Sequence, residues 1–548
     1  MRIFLILVFF LWGQNLSLGF QTIPISVSDQ IRAKLDYEIP GEGIVVAGKR
    51  LKSGASILAF YADRNFREIW SEEGILLELA YEMRHEIRQS KYDGLYPEDY
   101  NLSLIEAFFK TFESNKASQT ENQQGDLATL DLLLTSAFFH LAEHLHQGKV
   151  DPSQLKGQWG IPRKPQSLDY SSLFKIAIEE KDIRRNLEKF YPSFTIYKKS
   201  REVLRALDEQ TKGQLPDWKK VRIDKSIKIG DSHSSIPSLR ERLAFWGYLN
   251  DSLQRESKIY DTTMFQSVQA FQKKNGLESD GILGKNTVSA LNFSPSDLMD
   301  KAAVNLERLR WLPDTIQNLD LIVVNIANFQ LDYISRLDTL FSSRVIVGKE
   351  YTASPIFTAQ MTYIVFSPYW NIPNSITRKE IIPAIRKNSD YLSQKSMEVT
   401  TYSGKVVDPS SVNWSAKSFP YLIRQKPGGS NSLGLVKFMF PNRYSVYIHD
   451  TPTRNLFDRE ERAMSHGCIR LQNPSKFAEL LLSHDPSWTP EKIDLAMHRS
   501  SELIVNLPKK IPVVILYLTF WADSKGEAHF RTDIYNRDDE VLALLKKE

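Results

Sequence analysis

Cys468 is the only cysteine in a chain of 548 residues, and it stands in the hexapeptide Ser465-His466-Gly467-Cys468-Ile469-Arg470. The thiolate is the nucleophilic form of cysteine, and a free thiol is mostly protonated at neutral pH. A neighbouring imidazole can take that proton, or hold the thiolate as an ion pair. In extended chain, residues i and i+2 point to one side, so His466 and Cys468 can share a face. A second imidazole, His449, arrives at the end of the strand-like "YSVYIH" (444–449). Spacing alone does not say which histidine is the base. Gly467 permits a tight turn and close approach of a carbonyl. The N–H groups of Gly467 and Cys468 are candidate donors to the oxyanion of a tetrahedral intermediate. The chemistry these residues suit is acyl transfer through a thioester, resolved by water or an amine. Free cysteines are more often quiet and buried. Here the thiol is unique, its setting is polar and turn-prone, and the preceding loop is strongly charged.

Such a site needs strands that end side by side. From about residue 300 the chain is rich in β-branched and aromatic runs: "LIVVNIANFQLDYI" (321–334), "SRVIVGK" (343–349), "MTYIVFSPYWNIP" (361–373) and "PVVILYLTFWAD" (512–523). "GLVKFMF" (434–440) and "YSVYIH" read as a hairpin across Pro441-Asn442. Helix-like stretches fill 375–430. The expectation is a mainly-β catalytic domain over 300–536 with a helical cap insertion at about 375–430, followed by a C-terminal tail, 537–548.

Residues 20–224 read as a helical scaffold domain, with helical spacing in "EEGILLELAYEMRHEI" (72–87) and an amphipathic helix expected in "ATLDLLLTSAFFHLAEHLHQG" (128–148). Residues 225–293 form a compact unit of three short helices. Leu239, Leu243 and Trp246 share one helical face, Phe265, Val268 and Phe271 another, and an Asp280-Gly281 turn precedes the third helix. The whole is a multidomain α+β protein.

The composition, 42% hydrophobic and 25% charged, is that of a globular protein, and a net charge of +4 argues against nucleic acid as a partner. Arg2, the apolar run Ile3–Trp12 and the small residues before Phe20 predict a signal peptide over 1–19. Ten apolar residues are short for a span, which needs about 20; an uncleaved inner-membrane anchor is the alternative. Export makes the lone thiol more pointed, because cysteines outside the cytoplasm tend to be oxidised in pairs and this one has no partner.

The three-helix unit resembles the peptidoglycan-binding domain of cell-wall enzymes, on Leu239, Leu243, Gly247-Tyr248, Tyr260, Val268, Phe271-Gln272, Gly276-Leu277, Asp280-Gly281, Gly284, Thr287 and Leu291. His449 followed by Ser465-His466-Gly467-Cys468-Ile469-Arg470 resembles the YkuD-like L,D-transpeptidase catalytic domain. "VGKEYTASPIF" (347–357), "FSPYWNIPNSI" (366–376), "GGSNSLGLVKFMFPN" (428–442) and "YIHDTP" (447–452) extend the match. With the helical region, the chain is similar to the large periplasmic subgroup of that family.

The resemblance implies that Cys468 attacks the carbonyl of the third stem residue, usually diaminopimelate, and expels the terminal D-Ala. It makes His449 the proton acceptor and the main-chain carbonyl just after it, that of Asp450, the group that orients it; many members have Gly there, and the Asp450 carboxylate is the alternative for that role. His466 lines the pocket with Ser465 and Gly467. The insertion becomes a mobile cap with Trp370 and Asn371 near its hinge. Arg470 and Arg454 are candidates for pairing with stem-peptide carboxylates, with local pairing to Asp458, Glu460 or Glu461 as the alternative. It further implies 3–3 cross-linking of a tetrapeptide donor to a diaminopimelate-type acceptor, no cofactor or metal, a monomer in the periplasm, and peptidoglycan synthases as possible partners.

Competing signals are weaker. "HLAEH" places His140, Glu143 and His144 in an inverted zinc-protease pattern, without a convincing third ligand. His449, His466 and Cys468 are the right residue types for a catalytic zinc of a wall amidase or peptidase. A wall-binding scaffold without activity is the third reading, and the full set of catalytic residue types argues against it.

Overall fold

The structure is a computed structural model. It describes residues 26–547 apart from 40–42, 115–120, 157–158, 165–167, 214, 251–255, 315–319, 337 and 417, so the expected signal peptide lies outside the described residues. The chain divides into two compact units: one of the residues up to His85 with Tyr100–His140 and Ser171–Arg184, the other of Glu86–Asp99, Leu141–Tyr170 and everything from Arg185.

The first unit is mainly helical. Its centre is the segment expected to be amphipathic: Leu127, Ala128, Leu130, Leu132, Leu133 and Leu134 are all at most 1% exposed. Apolar residues lie all round this stretch, so the helix is sheathed rather than laid on a surface. Asp131 is buried there and accepts hydrogen bonds from the backbone N–H groups of Ile69 and Trp70, each at 2.9 Å, and from the Tyr61 hydroxyl. Phe60, Phe138, Phe139 and Phe174 pack around one another with centroids 4.3–5.9 Å apart.

In the second unit, helix α1 (Thr195–Gln210) is followed by α2 (Ile236–Phe245), α3 (Thr262–Lys274) and α4 (Lys285–Leu291). The last three close over a core of their own, with Ile236, Leu239, Leu243, Met264, Val268 and Leu291 fully buried. Trp246 and Phe265, expected on the core faces, stay partly exposed. Trp246 caps α2 and packs edge-on against Phe245 at 4.8 Å. Helix α5 (Pro295–Arg310) starts at a Ser294–Asp297 capping box and is buried over most of its length. Lys301 and Arg308 on it pair with Asp538, which anchors the expected tail as a helix, Asp538–Leu545.

The catalytic region is a closed ring of strands. They are β1 (Leu321–Asn325), β2 (Gln330–Ser335), β3 (Asp338–Gly348), β4 (Ile356–Phe366), β5 (Val436–Met439), β6 (Ile448–His449), β7 (Ala463–Ser465), β8 (Ile469–Leu471) and β9 (Leu503–Leu516). The order β5-β6-β8-β3-β2-β1-β9-β4 returns to its start because β4 also pairs with β5. Closure leaves no free edge in the ring. The short β7 runs parallel to β3 outside it. A hairpin of β10 (Phe520–Ala522) and β11 (Ala528–Phe530) follows β9. The expected pairing of the two segments around Pro441-Asn442 is present as β5 with β6.

The insertion carries its expected helices, between Asn374 and Gln394, and also a four-stranded antiparallel sheet. Its strands are Trp370–Asn371, Met397–Thr400, Val406–Val407 and Leu422–Gln425. Ile381, Ile385, Val399 and Ile423 form a core separate from that of the barrel. At its base, the buried Asn431 amide donates to the carbonyls of Pro368 (3.0 Å) and Lys426 (2.9 Å), tying the two ends together.

Candidate active site

Register builds the site. Phe438 of β5 pairs with Ile448 of β6, which pairs with Ile469 of β8; all three are fully buried and point into the barrel. Side chains alternate along strands, so the next row, Lys437, His449 and Arg470, lies on the other face. Tyr447 and Cys468, two residues before His449 and Arg470, fall on that face as well. Parallel pairing of β6 with β8 thus sets the thiol and the imidazole on one face, although a long charged loop separates them in the chain.

Cys468 is partly buried. Burial raises its thiol, opposed by Tyr447 and by the charge of Arg470; Sγ lies 3.9 Å from the Ser445 carbonyl. His449 is 4% exposed. Its Nδ1 lies 2.5 Å from the carbonyl of Asp450, so this nitrogen carries the proton and Nε2 is the basic one. Burial, then the charge of Arg470 and more weakly that of Lys437, pull His449 down to about 3, against the Asp450 and Leu433 carbonyls. The resting pair is therefore a neutral thiol and a neutral imidazole.

The turn before Cys468 is held from several sides. Gly467 has φ +115°, a region L side chains rarely adopt. Its carbonyl accepts from the Ser354 hydroxyl at 2.8 Å. Ser465 Oγ donates to the Cys468 carbonyl (2.6 Å) and accepts from Gly467 N–H (3.0 Å). Gly467 N–H is thereby committed to the turn, which corrects its expected part as an oxyanion donor. Cys468 N–H donates to no protein acceptor among the described residues.

The Asp450 carboxylate faces away from the ring: it accepts from Leu435 N–H and pairs with Arg454, each at 2.9 Å. Gly434 makes room for it, since a Cβ there would overlap the Asp450 carboxylate. Of Asp450, it is the main-chain carbonyl and not the carboxylate that meets His449. Arg454 is committed to Asp450 and the Gln472 carbonyl rather than to Asp458, Glu460 or Glu461. His466 is half-exposed, with Nε2 3.2 Å from Glu380 Oε1 on the cap. Trp370 and Asn371 pair with Gln425 and Arg424 at the base of the cap.

Arg470 and Lys437 have no ion-pair partner among the described residues, and Arg470 Nε is buried without a hydrogen bond. They flank His449 as a cationic row open to a carboxylate. Sequence reasoning found Arg470 but missed Tyr447 and Lys437. The i−2 spacing of Tyr447 from His449 was a usable signal; Lys437 needs the register.

Among the described residues, the three metal-ligating side chains that come within 4.8 Å of one another are Asp523, Glu527 and His529, on the β10–β11 hairpin. His529 is hydrogen-bonded to Asp523, and Glu527 is paired with Lys274.

Three family models match the chain: "Scaffold domain" over residues 55–204, "Putative peptidoglycan binding domain" over 232–291 and "L,D-transpeptidase catalytic domain" over 320–507. A protein of Haemophilus influenzae named "Putative L,D-transpeptidase" is 30% identical over 300 residues, 53% of this chain; the match spans 59% of that relative's length. Solved L,D-transpeptidases from Xylanimonas cellulosilytica and Stackebrandtia nassauensis are 13% and 14% identical, with TM-scores of 0.17 and 0.21. They cover 54% and 53% of this chain, and 100% and 94% of their own, at scores too low to bear on the fold. With the matched domain spanning both Cys468 and His449, the chain carries a YkuD-type L,D-transpeptidase catalytic domain, joined to a scaffold domain and a peptidoglycan-binding domain.

Proposed function

We propose that this protein is an exported cysteine L,D-transpeptidase that joins peptidoglycan stem peptides by 3–3 cross-links. The observation that carries the reading is the shared face of Tyr447, His449, Cys468 and Arg470 on two parallel strands. A tetrapeptide carboxylate docks on Arg470 and Lys437. The Cys468 proton passes to His449 Nε2 as sulfur attacks the carbonyl of the third stem residue. With both partners neutral at rest, transfer accompanies attack rather than preceding it. Cys468 N–H and the Tyr447 hydroxyl are the donors placed for the oxyanion. The C–N bond to D-Ala breaks, and its amine leaves with the proton held by His449. An acceptor amine then attacks the thioester carbonyl and gives a proton to His449; the C–S bond breaks, and His449 returns that proton to the sulfur.

The segment Arg2–Trp12 supports export to the envelope, where substrate and any synthase partner lie. Intact-mass spectrometry of the purified protein with a tetrapeptide muropeptide tests the function. An adduct lacking D-Ala is expected; it disappears in Cys468→Ala and forms far more slowly in His449→Ala. Full rate in His449→Ala with loss in His466→Ala would reverse the assignment of the base. Loss of activity to a chelator, with no adduct, would favour the zinc reading.

A further inference from the structure

We propose that the seam between the three-helix unit and the catalytic barrel is a binding cleft for a disaccharide-peptide fragment of peptidoglycan. Its aromatic half takes the sugars and its charged half takes the stem peptide. The proposal rests on the function above for the identity of the polymer, and it adds where that polymer is held away from the thiol.

Two cavities meet at this seam. One, of about 290 Å³, is walled by Trp246, Tyr248 and Phe271 of the three-helix unit, Phe293 before α5, and Phe530 of β11. Asn275 and Asn286 also face it. Aromatic faces with side-chain amides between them suit amino sugars, whose C–H faces pack on rings while hydroxyl and acetamido groups hydrogen-bond. Trp246 is left partly exposed at the end of α2 instead of joining the core, which is what a binding platform requires.

The second cavity, of about 700 Å³, is lined by charges of both signs, among them Asp458, Arg459 and Glu461. These three have no ion-pair partner among the described residues. A peptide carrying free carboxylates and an amine is the complementary ligand. Asn275, Leu277, Asn286, Arg531 and Thr532 line both cavities, so the two adjoin along one seam. Clefts of this size with convergent polar groups are typical of ligand sites where domains meet.

The seam is built rather than loose. Lys274 pairs with Glu527 at 2.5 Å, and the Arg531 guanidinium donates to the Lys274 carbonyl at 3.3 Å. Across the seam the Glu460 carboxyl, raised by burial, is drawn down again by the Glu278 backbone and the Asn286 side chain. Residues 458–462 therefore form one wall of the cleft and run directly into β7 and Cys468. A strand held here lies against the segment that carries the nucleophile.

The test titrates the full chain carrying Cys468→Ala with three probes, by calorimetry: a disaccharide-tetrapeptide, the free tetrapeptide, and the disaccharide of N-acetylated amino sugars. Trp246→Ala should weaken the disaccharide-containing probes about tenfold and spare the free tetrapeptide. Arg459→Ala should weaken both peptide-containing probes about tenfold and spare the disaccharide. Wild-type affinity for the disaccharide-tetrapeptide in both variants, or no binding before substitution, overturns the cleft. Should Trp246→Ala fail to fold, Arg459→Ala and Glu461→Gln on the exposed loop decide alone, by loss or retention of affinity. Acylation of Cys468 is read separately on the unsubstituted chain. Binding without acylation refutes the function and keeps the cleft; acylation with unaltered binding in the variants refutes the cleft and keeps the function.

Discussion

His449 and Arg470 stand opposite one another on adjacent parallel strands, and Lys437 faces His449 from the other side. The buried imidazole lies between two cations, Arg470 without an ion pair among the described residues and Lys437 within the field of Glu502. The arrangement keeps the imidazole neutral, and it leaves positive charge whose natural complement is an anion.

Substituting these cations should therefore act on substrate capture. Arg470→Met and Lys437→Met are each expected to lower kcat/KM by about tenfold to a hundredfold, mostly through KM. Steady-state kinetics with a tetrapeptide and with its amidated counterpart check this. Equal loss on both substrates would mean that the cations do not read the carboxylate.

The pH profile carries a second expectation. A base must be unprotonated to act, and His449 is depressed to about 3 by burial and cationic neighbours. The rate of acylation should stay level as pH falls through 6.5, the ordinary histidine value, and decline only near about pH 4. The same shift has a stability sign. Between about pH 6.5 and 3 the unfolded histidine binds a proton that the folded one refuses, so stability falls as pH falls, by about 1 kcal/mol per pH unit from this group. Rapid-quench acylation and denaturant melts across that range are the measurements; an acid limb centred on 6.5 contradicts the neutral-pair account.

Tyr447 opposes the rise that burial gives the thiol, and it sits edge-on to His449 at 5.6 Å between centroids. Tyr447→Phe keeps the ring and removes the hydroxyl. The acylation rate should fall about a hundredfold with little change in KM, the signature of a donor used in the transition state. A wild-type rate would confine Tyr447 to packing.

Asp131 tests the first unit. Its carboxyl is raised to about 6 by burial, yet it receives two backbone N–H groups and the Tyr61 hydroxyl. Asp131→Ala leaves those donors unmet and should cost about 3 kcal/mol or more in a denaturant melt. A shift under about 1 kcal/mol would show that the network contributes little.

Much of the catalytic region was legible because β-strand patterning is a local property. The runs at 321–334 and 343–349 became strands, and the segments flanking Pro441-Asn442 paired. The sheathed helix was misread as amphipathic because periodicity records where apolar residues fall, not how many neighbours arrive to cover them. The sheet within the cap was missed for a related reason: strands as short as Trp370–Asn371 and Val406–Val407 exist only through their partners. Arg454 looked available to substrate until Asp450, four residues earlier, proved to hold it.

The chemistry of the site belonged to the sequence alone: one thiol, two histidines at fixed separations from it, and a glycine where the chain must turn, since residue type and spacing are covalent facts. Tertiary structure decided which neighbours those groups meet. Parallel pairing of two short strands put Tyr447, His449, Cys468 and Arg470 on one face and aligned Lys437 with them. The turn consumed the Gly467 N–H, and burial set both partners neutral. Those outcomes depend on register and desolvation, which arise only when distant segments pack together.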